Sequence, residues 1–116
     1  MTIPIDQEQK DFFVDVYDVV KCIPEGRVTS YGAIAKYLCA PSASRTVGWA
    51  MNSSHKFSEI PAHRVVNRNG MLTGKMHFKT PKSMQKKLEK EGVMILNDKV
   101  HNFKDIYWDP NIELKL

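Results

Sequence analysis

The chain has 116 residues, the length of one domain with a small core. It is 42% hydrophobic and 26% charged, which excludes a mainly disordered chain, and no apolar run is long enough to span a membrane. Lys plus Arg number 17 against 13 Asp plus Glu, and the net charge of +4 suits a polyanionic partner without identifying one.

Residues 1–8 are expected to be loosely held. Residues 1–10 carry Asp6 and Glu8 and no apolar core, so they do not read as a signal peptide. Phe12, Phe13, Val16, Val19, Val20 and Ile23 recur at the helical period and predict a first helix over 9–23, stopped by Pro24 and Gly26. A second helix is expected from Thr29 or Ser30, either of which can cap it, with Tyr31, Ile34, Ala35 and Leu38 as its apolar stripe. A short turn containing Pro41 leads to a third helix over 43–52, with Ala43, Val47, Ala50 and Met51 inward. Arg45, Trp49 and Asn52 fall on another, outward face. Two short helices joined this way read as a helix-turn-helix or as an ordinary helical hairpin.

The stretch 60–66 is too short for a regular helix and rich in β-branched residues, and Asn69-Gly70 signals a tight turn. A fourth helix is expected to start with Thr80 as cap and Pro81 in its first turn, and to end at Glu91 before Gly92. Met84 and Leu88 would face inward, while Lys79, Lys82, Lys86, Lys87 and Lys90 make a basic outer side. A short strand over 93–96 precedes a turn at Asn97-Asp98. Phe103, Tyr107 and Trp108 are expected to fold back onto the body, and 110–116 to form a loose tail, leaving 9–109 as the domain.

Five segments carry a resemblance. They are Gly26-Arg-Val-Thr-Ser-Tyr-Gly-Ala-Ile-Ala35, Arg45-Thr-Val-Gly48, Ile60-Pro-Ala-His-Arg-Val-Val66, Asn67-Arg-Asn-Gly70 and Leu88-Glu-Lys-Glu-Gly92. In order and spacing they resemble the DNA-binding domain of the O6-alkylguanine-DNA alkyltransferases, whose active-site loop reads Pro-Cys-His-Arg-Val. The resemblance implies an α+β, mostly helical, single winged-helix-like domain with a helix-turn-helix.

One departure matters most. Ala62 stands where the family has its alkyl-accepting cysteine. Alkyl transfer needs a thiolate, and a methyl side chain has no lone pair. Cys22 and Cys39 are too few for a disulfide framework, suit a reduced intracellular setting, and are expected to be buried packing residues. The chain therefore resembles the alkyltransferase-like, non-enzymatic branch of the family. That branch binds O6-alkylguanine in duplex DNA and hands it to nucleotide excision repair. Two alternatives stand beside it: a true alkyltransferase with its cysteine replaced, and a helix-turn-helix transcriptional regulator.

The resemblance also implies residue roles. A base inside a duplex must be rotated out before a pocket can inspect it. Arg45 corresponds to the finger that fills the gap, and Tyr31 to the tyrosine that helps rotate the nucleotide. Thr46, Gly48, Trp49 and Asn52 complete the expected DNA surface; Trp49 and Asn52 are placed there because they face the same way as Arg45, and Trp49 departs from the family, where a small residue is common at this point of the helix. Pro61, Ala62, His63, Val65 and Lys75 form the expected base pocket, closed by a lid over 71–78. His63 and Glu91 correspond to the family's base and its orienting carboxylate, and without a cysteine proton to move they are left a structural role. Arg64 is expected to tie the loop to nearby carbonyls. The four histidines are scattered, so no metal site is expected, and no cofactor motif occurs. The expected state is a monomer bound to DNA, without a membrane. It would be cytoplasmic or nucleoid-associated in a bacterium, nuclear in a eukaryote.

Overall fold

Residues 7–114 are described by a computed structural model. Helix α1, Gln7–Lys21, starts and stops two residues ahead of the expected span. Its last turn closes with Ile23 N–H donating to Val20 O at 3.1 Å, and Pro24, which has no N–H, cannot continue the helix. The chain then runs extended through strand β1, Thr29–Ser30.

Ser30 turns the strand into helix α2, Tyr31–Tyr37, because its Oγ accepts from Ala33 N–H and satisfies a free donor of the first turn. Cys39, at φ +60, leads out of α2 toward helix α3, Ser44–Ser53. Strand β2, Val65–Val66, pairs in parallel with β1, Thr29 opposite Val65 and Ser30 opposite Val66. Parallel pairing needs a crossover, and α2 and α3 supply it.

The expected fourth helix starts late. Helix α4 spans Ser83–Lys90, with Lys82 rather than Thr80 at its cap. Thr80 Oγ1 lies 2.8 Å from Ser83 Oγ, and Thr80 N–H donates to the same hydroxyl, so this threonine closes a turn ahead of the helix. Gly92, at φ +89, ends the helix as the sequence predicts. Strands β3, Ile95–Leu96, and β4, Lys99–Val100, form a hairpin around Asn97 and Asp98, both at positive φ.

Helix α5, Phe103–Ile106, and helix α6, Pro110–Glu113, follow. The loose tail expected from 110 onward is corrected over 110–114: Asp109 caps α6, Pro110 is buried and Leu114 packs on the core. Residues 115–116, and 1–6 of the expected loose N-terminus, lie outside the described residues, while Gln7 already belongs to α1.

Two apolar clusters hold the elements. Val16, Val20, Ile34, Ala35, Val47 and Ala50 pack α1, α2 and α3 together, with Trp108 folded onto them. Val66, Leu72, Met84, Leu88, Val93 and Val100 join β2 to α4 and the hairpin. The loop 60–66 runs between these clusters, with Val65 in one and Val66 in the other. Among the described residues, no helix is long and apolar enough to cross a membrane.

Candidate nucleic-acid interface and base pocket

Helix α3 presents Arg45, Trp49 and Asn52 to solvent while Val47, Ala50 and Met51 are buried. Trp49 is 48% exposed, a large apolar surface for a ring on a helix. Thr46 and Gly48 are half-buried between them. A Cβ added at Gly48 would meet nothing within 4 Å, so this turn of α3 leaves open space for a close approach.

Behind α3 lies a small pocket. Tyr31, Met51 and Asn52 line it from the helices, Ala62 and Val65 from the loop, and Gly74 and Phe78 from the lid. His55 and Met84 complete the wall. The enclosed volume is about 10 Å³, room for about one water molecule. Gly74 closes tightly on Tyr31: a Cβ there would lie 3.0 Å from the tyrosine hydroxyl. Burial raises the Tyr31 hydroxyl pKa, opposed by a hydrogen bond with Thr73.

The structure brings together part of the expected pocket. Ala62 and Val65 line it; Pro61, His63 and Lys75 do not. Lys75 instead sits in a 3-10 turn, Lys75–His77, and its Nζ lies 2.6 Å from Asp98 Oδ2, tying the lid to the β3–β4 turn. Sequence reasoning placed Asn52 on the DNA face but not in the pocket, and missed His55, three residues further on, altogether.

Ala62, His63 and Arg64 form one 3-10 turn, with Arg64 N–H donating to Pro61 O at 3.0 Å. That turn sends His63 and Arg64 to Glu91. His63 Nε2 is 2.6 Å from Glu91 Oε2, and Arg64 donates to both carboxylate oxygens. Gly26 N–H donates to Oε1 at 2.9 Å. Arg64 also donates to Ile23 O at 2.8 Å, the carbonyl tie expected of it. Burial acts to raise the Glu91 pKa, but these hydrogen bonds outweigh it and hold the carboxyl at about 2. Burial, with Arg64 and Lys87 adding to it, lowers the His63 pKa against the opposing pull of Glu91, so the ring is neutral near pH 7. A neutral ring beside a carboxylate donates from Nε2, which leaves Nδ1 as an acceptor.

The two cysteines are not buried, contrary to expectation: Cys22 and Cys39 are both exposed. Cys22 follows the last turn of α1 and Cys39 sits in the turn after α2, where no neighbouring element covers either one. Neither lines the pocket. Among the described residues, no group of three His, Cys, Asp or Glu side chains is placed to hold a metal ion.

Known proteins share this arrangement. A relative from Schizosaccharomyces pombe, alkyltransferase-like protein 1, is 36% identical over 104 residues, covering 86% of this chain and 96% of that protein. A DNA base-flipping protein of Escherichia coli is 43% identical over 67 residues, 57% of this chain and 52% of that one. The structure of the S. pombe alkyltransferase-like protein, in complex with damaged DNA containing O6-carboxymethylguanine, superposes with a TM-score of 0.77 at 34% identity, over 95% of this chain and all of that one. The helix-turn-helix and the Pro-Ala-His-Arg-Val loop also lie within residues 11–93, which match the DNA-binding domain of 6-O-methylguanine DNA methyltransferase, and the chain belongs to that family.

Proposed function

We propose that this protein is a non-enzymatic sensor of O6-alkylguanine in duplex DNA, which flips the damaged base into the pocket behind α3 and marks it for nucleotide excision repair. The observation that carries the reading is the methyl group of Ala62 in the pocket wall, beside an otherwise complete His63–Glu91 pair. The His63–Glu91 pair next to Ala62 supports reading the pocket as an alkyltransferase site whose thiol is replaced by a methyl group. Arg45 is exposed on α3, free to enter the stack, and Tyr31, in the pocket wall, would turn the nucleotide. The protein acts as a monomer in whichever compartment holds the DNA.

A flipped guanine is far larger than the present cavity, so binding requires the lid to move away from Tyr31. Its tie is an ion pair of two partly exposed side chains, Lys75 and Asp98, which is weak in water. Flipping itself costs a few kcal/mol, least for a poorly paired lesion, and this difference favours damaged sites.

Fluorescence anisotropy tests the reading, with duplexes carrying O6-methylguanine or guanine at several salt concentrations. Lesion preference that persists at high salt, with no alkyl group gained by the protein in mass spectrometry, is the expected result. Equal binding of both duplexes, lost in parallel as salt rises, would mark a general phosphate binder. Transfer of the alkyl group to the protein would mark an enzyme. The regulator alternative predicts sequence preference in undamaged DNA, and the pocket gives it no support.

A further inference from the structure

A second cleft adjoins the base pocket. It has a volume of about 470 Å³ and is lined by His55, His77, Phe78, Lys79, Ser83 and Lys87. His55 and Phe78 are walls of both spaces. Their rings meet edge to face at 4.5 Å, and Lys87 Nζ lies 5.8 Å from the Phe78 ring centroid on the cleft side. The lining thus offers two ammonium groups, two imidazoles and a hydroxyl, and no carboxylate. Burial, then the neighbouring His77 and Lys87, hold His55 below its ordinary pKa, so it serves as a neutral hydrogen-bonding group beside the lysines.

We propose that this cleft is an oxyanion subsite of the base pocket, which takes the carboxylate of an acidic O6 substituent and so ranks acidic lesions above neutral ones of equal size. The inference rests on the base-flipping function proposed above. Ala62 marks the part of the pocket that faces the O6 substituent, since the family's nucleophile stands there. A methyl group ends inside the pocket. A substituent extended by a carboxylate reaches the shared wall of His55 and Phe78, where Lys87 and Lys79 lie on the other side. Ammonium groups bind a carboxylate by charge-assisted hydrogen bonds, while the amide of the same shape gains only neutral ones. A backbone phosphate is an oxyanion of similar demand, and the test separates the two sources.

The experiment measures anisotropy with four duplexes, carrying O6-carboxymethylguanine, its neutral carboxamide isostere, O6-methylguanine and guanine. The proteins are the wild type, Lys87→Gln and, separately, Lys79→Gln. The wild type is expected to bind the carboxylate about tenfold more tightly than the carboxamide, the scale of one charge-assisted hydrogen bond. Lys87→Gln is expected to erase that ratio and leave the carboxamide and methyl duplexes bound as before. Equal wild-type affinity for carboxylate and carboxamide would overturn the subsite. So would a uniform loss on all four duplexes in both variants, which assigns the lysines to backbone phosphate. Failure of the sensor reading looks different: all three lesions would bind no better than guanine. Thermal melting of each variant checks that folding is intact.

Discussion

Glu91 and His63 lie 28 residues apart in sequence, yet Oε2 of one is 2.6 Å from Nε2 of the other. Arg64, next to the histidine, grips the same carboxylate and the last carbonyl of the α1 turn. One carboxylate thus joins α4, the Ala62–Arg64 turn and Gly26. These bonds tie the turn that carries Ala62 to the end of α4.

Acid should therefore loosen the site. The Glu91 pKa is about 2 in the folded protein against an ordinary 4.5, so its contribution is complete above about pH 4.5 and is lost as pH falls toward 2. The size is about 3 kcal/mol. His63 adds in the same direction: its folded pKa is lowered, so stability falls as pH drops below 6.5, where the unfolded chain takes up the proton first. Urea titrations from pH 8 to pH 3 should show a plateau and then a fall beginning near pH 6.5. Glu91→Gln should remove the part of the fall below 4.5 and cost about 2–4 kcal/mol at pH 7, since the largely covered Arg64 is left without its carboxylate. A variant as stable as the wild type at pH 7 would show that the pair holds nothing.

Arg45→Ala separates binding from folding. The side chain is exposed at the second position of α3 and contributes nothing to either apolar cluster. Its removal should leave the melting curve within about 0.5 kcal/mol of the wild type. Affinity for an O6-methylguanine duplex should fall by tenfold or more, with a smaller loss on unmodified DNA, because only the flipped complex leaves a gap for the guanidinium to fill. An equal loss on both duplexes would reduce Arg45 to a phosphate contact.

Local signals were legible and long-range ones were not. The cap of α2, Gly92 as terminator and the Asn97-Asp98 turn each act within a few residues; Gly92 and the turn are where the sequence puts them, and Ser30 is the cap of the two offered, Thr29 and Ser30. Thr80 misleads because its hydroxyl had two uses, capping a helix or bonding Ser83, and the second prevails. Lys75 reads as a pocket residue until Asp98 is brought beside it from 23 residues away. Cys22 and Cys39 read as buried because cysteine usually is, yet burial depends on which surface covers a position. His55 gives no local sign of its role, which exists only once the lid lies across it. The family motifs located Ala62, His63 and Glu91, whose partnership no periodicity could reveal.

Beneath the loop, Thr29 sits in β1 opposite Val65, fully buried, and its Oγ1 has no hydrogen-bond partner among the described residues. A buried hydroxyl without a partner costs about 1–3 kcal/mol. Valine has the same shape and suits a strand. Thr29→Val should raise stability by about 1 kcal/mol, seen as an increase of about 4 °C in Tm. A lower Tm would mean that the hydroxyl has a partner, such as a buried water, worth keeping.

Ala62→Cys asks whether the site lost only its nucleophile. The new thiol would stand one residue before a neutral His63 whose Nε2 proton is committed to Glu91, so Nδ1 is the ring nitrogen able to accept a proton from the site. Sulfur would then attack the alkyl carbon: the S–C bond forms, the O6–C bond breaks, and guanine leaves after taking up the proton. Incubation with an O6-methylguanine duplex should add one methyl group to the protein, once per molecule, and the adduct should be absent when Glu91→Gln is combined with it. The alanine protein under the same conditions should bind the lesion and gain no mass. If the cysteine variant binds but never gains the methyl group, the loop has moved away from transfer geometry as well as losing its thiol. The closed contact between Gly74 and Tyr31 would then be the place to look, since the lid decides how deeply the base enters.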